Sequence, residues 1–194
     1  MKHLLSIFVA MALSGCASGP LDAPGTFLPP QHDRALASAV LCCKSYSDIR
    51  YAPLTRGKTS DVLILPTSPV FEFDGRRSFF AAFELAGGVN RILTVTTKPV
   101  NLVWNPDGHV MVPSVEFLDH GHKKIELARP QYAPQRGESG AQAFLKVPDG
   151  ARYVIVLSGT QASGISWPDS DQRSGQLFIR SGPTGKIGVL LLGG

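Results

Sequence analysis

The chain predicts an all-β fold, a single antiparallel β-sandwich of immunoglobulin-like or jelly-roll-like type with a short N-terminal helix, and three observations carry that expectation. Short apolar runs follow one another from Tyr51 onward. The 20 Gly and 15 Pro exceed ordinary usage and fall mostly between those runs, as turn residues do in β proteins. No helical pattern of ten to fifteen residues separates the runs, and a parallel α/β sheet would need one. With 43% hydrophobic against 18% charged residues, the chain has the composition of a packed body rather than of a disordered one. Its 194 residues suit one domain plus a targeting segment and a linker.

The N-terminus carries the most specific signal. Lys2 and His3 precede an apolar run, Leu4–Ala12, interrupted only by Ser6, and Leu13-Ser14-Gly15-Cys16 follows. A spanning helix needs about 20 apolar residues. This run stops near half that length, so residues 1–15 read as a secretory signal peptide. Leu13-Ser14-Gly15-Cys16 resembles a bacterial lipobox, which implies lipidation of Cys16 and anchoring in a membrane. In that class an Asp after the lipidated cysteine retains the protein in the inner membrane. Ala17 stands there instead, so the expected place is the outer membrane, facing the periplasm. Residues 16–30, with four prolines and two glycines after Cys16, form the lipidated tether, and residues 31–194 form the single sandwich domain.

Along that domain, Asp33 is placed to cap a helix running through Cys42 or Cys43, with Leu36, Val40 and Leu41 on one side. Strands are expected at Val70–Phe73, Ser78–Leu85, Arg91–Thr97, Val100–Trp104, His109–Val112, Val115–Leu118, Ile125–Leu127, Phe144–Val147, Arg152–Leu157, Gln176–Arg180 and Lys186–Leu192. Asn105-Pro106-Asp107-Gly108 suits a reversal between Val100–Trp104 and His109–Val112. Asp74-Gly75, Gly87-Gly88, Asp149-Gly150 and Pro183-Thr184-Gly185 supply further turns. Ala128–Gly140 reads as a long loop crossing between sheets.

Few residues point to chemistry. After Cys16, the remaining thiols are the adjacent Cys42 and Cys43, and neighbouring Cα atoms lie about 3.8 Å apart, below the usual disulfide range of about 4.4–6.8 Å. Three states stay open for them: a vicinal ring stiffening the turn, free buried thiols, or a redox switch. Asp119-His120-Gly121-His122 offers a carboxylate and two imidazoles, yet no second cluster completes a metal site, so these read as turn residues and no metal or other cofactor is expected. Gly57-Lys58-Thr59 imitates the end of a phosphate loop, but Ala52 stands where that loop needs Gly. Gly-x-Ser-x-Gly, His-Glu-x-x-His and Ser-x-x-Lys are all missing, so no catalytic residue is assigned and a non-enzymatic protein is expected. The 19 basic and 15 acidic side chains are dispersed, which gives nucleic-acid binding little footing. Trp104 reads as core. Trp167, in a polar stretch, and Tyr132, with its hydroxyl, are the residues best suited to stack on and hold a sugar ring, with Tyr153 as a further rim hydroxyl.

The order of segments resembles the maltose-operon periplasmic protein family (MalM-like), in a lipoprotein branch. The resemblance runs over Leu41–Leu192. It is carried by Tyr51-Ala52-Pro53-Leu54 after the helix, Val70–Phe73 with Ser78–Leu85, Val112-Pro113-Ser114-Val115-Glu116-Phe117-Leu118-Asp119, and Arg152-Tyr153-Val154-Ile155-Val156. The paired final strands Gln176–Arg180 and Lys186–Leu192 complete it. It implies a protein accessory to maltose or maltodextrin uptake, with an oligosaccharide or an envelope transport protein as partner and no catalytic residues. The alternative is a structural or interaction lipoprotein of an envelope assembly.

Overall fold

The computed structural model describes residues 30–100, 109–134, 140–158, 164–168 and 176–193, with backbone alone at 30–33, 164–168, 176–178 and 180. In chain order these form helix α1 (Pro30–Ser38), a 3-10 turn at Tyr46–Asp48, and strands β1 (Ala52–Leu54), β2 (Ser60–Ile64), β3 (Val70–Phe73), β4 (Arg76–Leu85), β5 (Ile92–Lys98), β6 (Pro113–Leu118) and β7 (Lys124–Ala128). Then come β8 (Ala133–Pro134), β9 (Ala141–Lys146), β10 (Tyr153–Ser158), β11 (Gly164–Pro168), β12 (Gln176–Arg180) and β13 (Gly185–Leu192).

The fold is the expected all-β sandwich. Its larger sheet runs β1-β4-β10-β6-β7, with β3 also against β4, and its second sheet runs β2-β13-β5-β9-β8. β11 and β12 pair with each other apart from both. Named pairs are antiparallel except one: β1 lies parallel to β4. The reason is geometric. The β3–β4 hairpin occupies the first half of one edge of β4, pairing Val70 with Phe79, and β1 takes the second half of that edge, pairing Leu54 with Leu85. The hairpin turns on Asp74 and Gly75 at φ of 49° and 76°, the left-handed pair that matches the twist of two flanking strands and that Gly adopts without a Cβ clash.

Alternation along the strands builds the core. Phe79, Phe83 and Leu85 of β4, Val115 and Phe117 of β6, and Val154 and Val156 of β10 point inward. Leu93 and Val95 of β5, with Ile187, Val189 and Leu191 of β13, meet them from the second sheet. Each such side chain, removed from water, contributes about 1.5–3 kcal/mol. Arg91 is buried at the sandwich edge and donates to the carbonyls of Ala86 and Ala151, which satisfies the guanidinium while burial holds its pKa below the usual arginine range.

Several expectations change. The helix begins earlier and ends at Ser38, because Pro30 suits a first helical turn and the chain beyond it is drawn out to bridge Leu41 to Val70, with Cys42 N–H donating to the Val70 carbonyl. Strands at Ala52–Leu54 and Ser60–Ile64 were not expected; each is short and stands at a sheet edge. Ala128–Gly140 contains the two-residue β8 rather than an uninterrupted loop. Gly164–Pro168, where no strand was expected, is strand β11. The final two strands are not paired with each other: β12 pairs β11, whereas β13 sits between β2 and β5. His109–Val112 makes isolated bridges, one of which joins Val100 to His109 at the base of the expected hairpin; residues 101–108, Trp104 among them, lie outside the described residues.

Candidate functional site

The outward face of a sandwich sheet is commonly polar and wet. The larger sheet here departs from that. Phe71 and Phe73 of β3, Phe80 and Ala82 of β4, Ile155 and Leu157 of β10, and Leu118 of β6 form a second apolar layer on its outer side. Residues 42–51 cross this layer as a strap. Ile49 is buried against it, and Tyr46 lies 5.2 Å from Phe71 and 6.1 Å from Phe73 between ring centroids. Phe73 meets Phe71 and Phe80 edge-on, the geometry that aromatic quadrupoles favour.

Local chemistry shapes the strap. The Asp48 carboxylate accepts from Lys44 N–H, Ser45 N–H and the Ser45 hydroxyl, closing the 3-10 turn, and the Ser45 bond foremost holds Asp48 below the usual carboxylate range. Cys42 and Cys43 are joined as a vicinal disulfide with Cα atoms 3.8 Å apart, and Cys43 packs partly against the apolar layer.

Beneath the strap, Glu116 is 1% exposed although its register neighbours on β10 and β7 are Ile155 and Leu127. The Tyr46 hydroxyl donates to Oε2 at 3.0 Å, and Lys124 Nζ stands 2.8 Å from Oε1 and 2.6 Å from Asp74 Oδ2. Burial works against the charge on Lys124, but its bonds to Asp74 and Glu116 outweigh that and raise its pKa. Burial, reinforced by Glu116, pushes the Tyr46 phenol above its usual range.

At the end of the same face stands an aromatic stack. His122, held at φ 61° in the β6–β7 turn, lies parallel to Tyr153 at 4.3 Å and 12° between planes; Tyr153 contacts Tyr51 at 4.4 Å. All three rings are partly exposed. The Tyr51 hydroxyl donates to the Tyr46 carbonyl, and Asp119 accepts from Gly121 and Lys123 N–H, which fixes the turn that presents His122. Beside Tyr153 on β4, Glu84 pairs with Arg152. The arrangement offers ring faces with polar groups around them. Among the described residues no three His, Cys, Asp or Glu side chains gather as a metal site.

Of the two residues that the sequence singles out to hold a sugar, Tyr132 is partly buried, packs against the sandwich core and donates its hydroxyl to the Pro113 carbonyl at 3.2 Å; burial raises its pKa. That hydroxyl is therefore already engaged. The backbone of β11, which carries Trp167, runs beside β8, next to Tyr132, so the two lie on neighbouring elements. The Trp167 side chain, residues 1–15 and Cys16 lie outside the described residues. Gly57 is followed by strand β2, not by the helix a phosphate loop requires. Sequence reasoning passed over Tyr46, Glu116 and Lys124 and set His122 aside as a turn residue, because a Glu at an outward strand position and a His in a turn carry the pattern of wet surface.

Comparison with known proteins finds no matching family model, no matching curated protein and no matching solved structure.

Proposed function

We propose that the chain is a non-enzymatic lipoprotein, anchored through Cys16 in the outer membrane and facing the periplasm, of the maltose-operon periplasmic protein type and accessory to carbohydrate uptake. The observation that carries the carbohydrate part is the His122–Tyr153–Tyr51 stack, which sets partly exposed rings beside the Glu84–Arg152 pair. Sugar rings present C–H faces to aromatic planes, and their hydroxyls need polar partners in place of water. An open site of this kind supports weak binding, about −4 to −6 kcal/mol, which suits fast release near a pore. The lipobox and the order of segments support the location and the type.

Titrating maltose through maltoheptaose against amide NMR shifts tests this reading. Shifts should centre on Tyr51, His122 and Tyr153, and Tyr153→Ala should remove them. Unchanged spectra at ~10 mM would overturn it.

A second reading, an interaction lipoprotein of an envelope assembly, has one observation in its favour. Leu192, Ile92 and Phe144 are 37%, 42% and 66% exposed on the outer side of the second sheet. Leu192 pairs with Ile92, and Phe144 lies opposite Thr94 two residues along β5. That grouping is of the kind that marks protein contacts. This reading predicts no spectral response to any glucan.

A further inference from the structure

The tie between Tyr46, Glu116 and Lys124 explains how a carboxylate survives in an apolar layer, but it does not explain the cavity next to it. Glu116 lines a cavity of about 220 Å³ on the outer face of the larger sheet, apart from the aromatic stack. Phe73, Leu127 and Leu157 give it apolar walls. Ser114 stands in the lining with Ser78, whose hydroxyl is engaged with Ser158 and the Phe79 carbonyl. Exposed Asp74, Arg76 and Arg129 stand around its mouth.

Three features select the ligand. An ionised carboxylate offers about four lone-pair directions; Glu116 spends one on the Tyr46 hydroxyl, while its Oε1, 2.8 Å from Lys124 Nζ as an ion pair, accepts no hydrogen bond among the described residues, so acceptor capacity is left where Glu116 borders the cavity. Such a group binds donors, and hydroxyls are the donors that an apolar-walled, serine-lined space accommodates. At the mouth, Lys124 answers both Asp74 and Glu116, and the exposed Arg129 guanidinium stands beside them. A metal cation is disfavoured there, and a planar monoanion suits guanidinium forks. The volume lies below the about 300–1,000 Å³ of drug-sized pockets, which leaves room for one pyranose ring rather than for an oligosaccharide.

We propose that this cavity binds a sugar acid, a single hydroxylated ring bearing one carboxylate, with the carboxylate toward Arg129 and ring hydroxyls toward Glu116 and Ser114. The site is separate from the aromatic stack and does not depend on its binding glucans.

The test uses the full-length protein in detergent micelles, titrated by calorimetry and amide NMR with D-glucuronate and D-galacturonate. D-glucose supplies the hydroxyls without the charge, and acetate the charge without the ring. At least one uronate should bind ten-fold or more tightly than both glucose and acetate. Arg129→Ala, a change at an exposed side chain, should weaken that uronate by ten-fold or more. Ser114→Ala should weaken it several-fold, and Tyr153→Ala should leave it unchanged. Equal affinity for uronates and glucose, equal affinity for uronates and acetate, no uronate binding at ~10 mM, or full uronate binding by Arg129→Ala would each overturn the proposal. Loss of glucan shifts in Tyr153→Ala with uronate binding intact separates this site from the stack.

Discussion

Glu116 concentrates the residue-scale physics of this protein. A carboxylate with 1% exposure between Ile155 and Leu127 persists because Tyr46 donates to one oxygen and Lys124 sits against the other. Removing one member leaves the others buried or half-buried without their partner, which costs more than the intact tie contributes. Glu116→Ala should therefore lower unfolding stability by about 3 kcal/mol in chemical denaturation, and Glu116→Gln, which keeps the shape and an acceptor for Tyr46, should lower it by less. A loss under about 1 kcal/mol in Glu116→Ala would show that strap and sheet are not coupled through this group. None of this was legible in Val115-Glu116-Phe117, where a charge between two inward apolar residues has the pattern of an exposed strand face. The tie joins residues 70 positions apart, and only the fold sets that distance.

The elements that present the site are short, and carboxylates close two of them. Asp48 closes the 3-10 turn of the strap, and Asp119 closes the β6–β7 turn; in both, hydrogen bonds hold the pKa below its ordinary value, with Ser45 foremost for Asp48 and the Lys123 N–H foremost for Asp119. A carboxylate whose folded pKa is depressed adds stability above its unfolded value, near 3.9, and that stability is lost as the pH falls through the folded pKa. Denaturation midpoints should thus hold steady from pH 7 to about 5 and decline below about 4. The Asp48→Asn, Asp119→Asn double variant should show a flatter acid limb, and an unaltered limb would remove these turns from the account. Element type was readable where the apolar pattern is long and bounded by turn residues: Val70–Phe73 and Gln176–Arg180 match their strands in full. It failed at β1, β2, β8 and β11, which are short or Pro-containing and owe their strand state to a neighbouring strand. The helix, too, was misjudged at its end, since pairing of Leu41 with Val70 decides where it stops.

At the scale of the whole molecule, the sandwich supplies two outer faces on one core, and in the proposed function a lipid on Cys16 would decide where they are presented. The proposed lipidation of Cys16 predicts that Cys16→Ala moves the protein from the membrane to the soluble periplasmic fraction with its denaturation curve unchanged. Mass spectrometry showing an unmodified thiol, or an intact residue 1–15 segment, would refute that placement. The sequence by itself determined the fold class and the turn at Asp74-Gly75, since short apolar runs of strand length and left-handed turn residues are local properties that each segment carries alone. Which strands adjoin, why β1 runs parallel, and how Tyr46, Glu116, Lys124 and His122 come onto one face were decided only by the tertiary structure. Sheet order and the covering of an outer face depend on contacts between residues far apart in the chain, and the free energy of such contacts has no signature in any single segment.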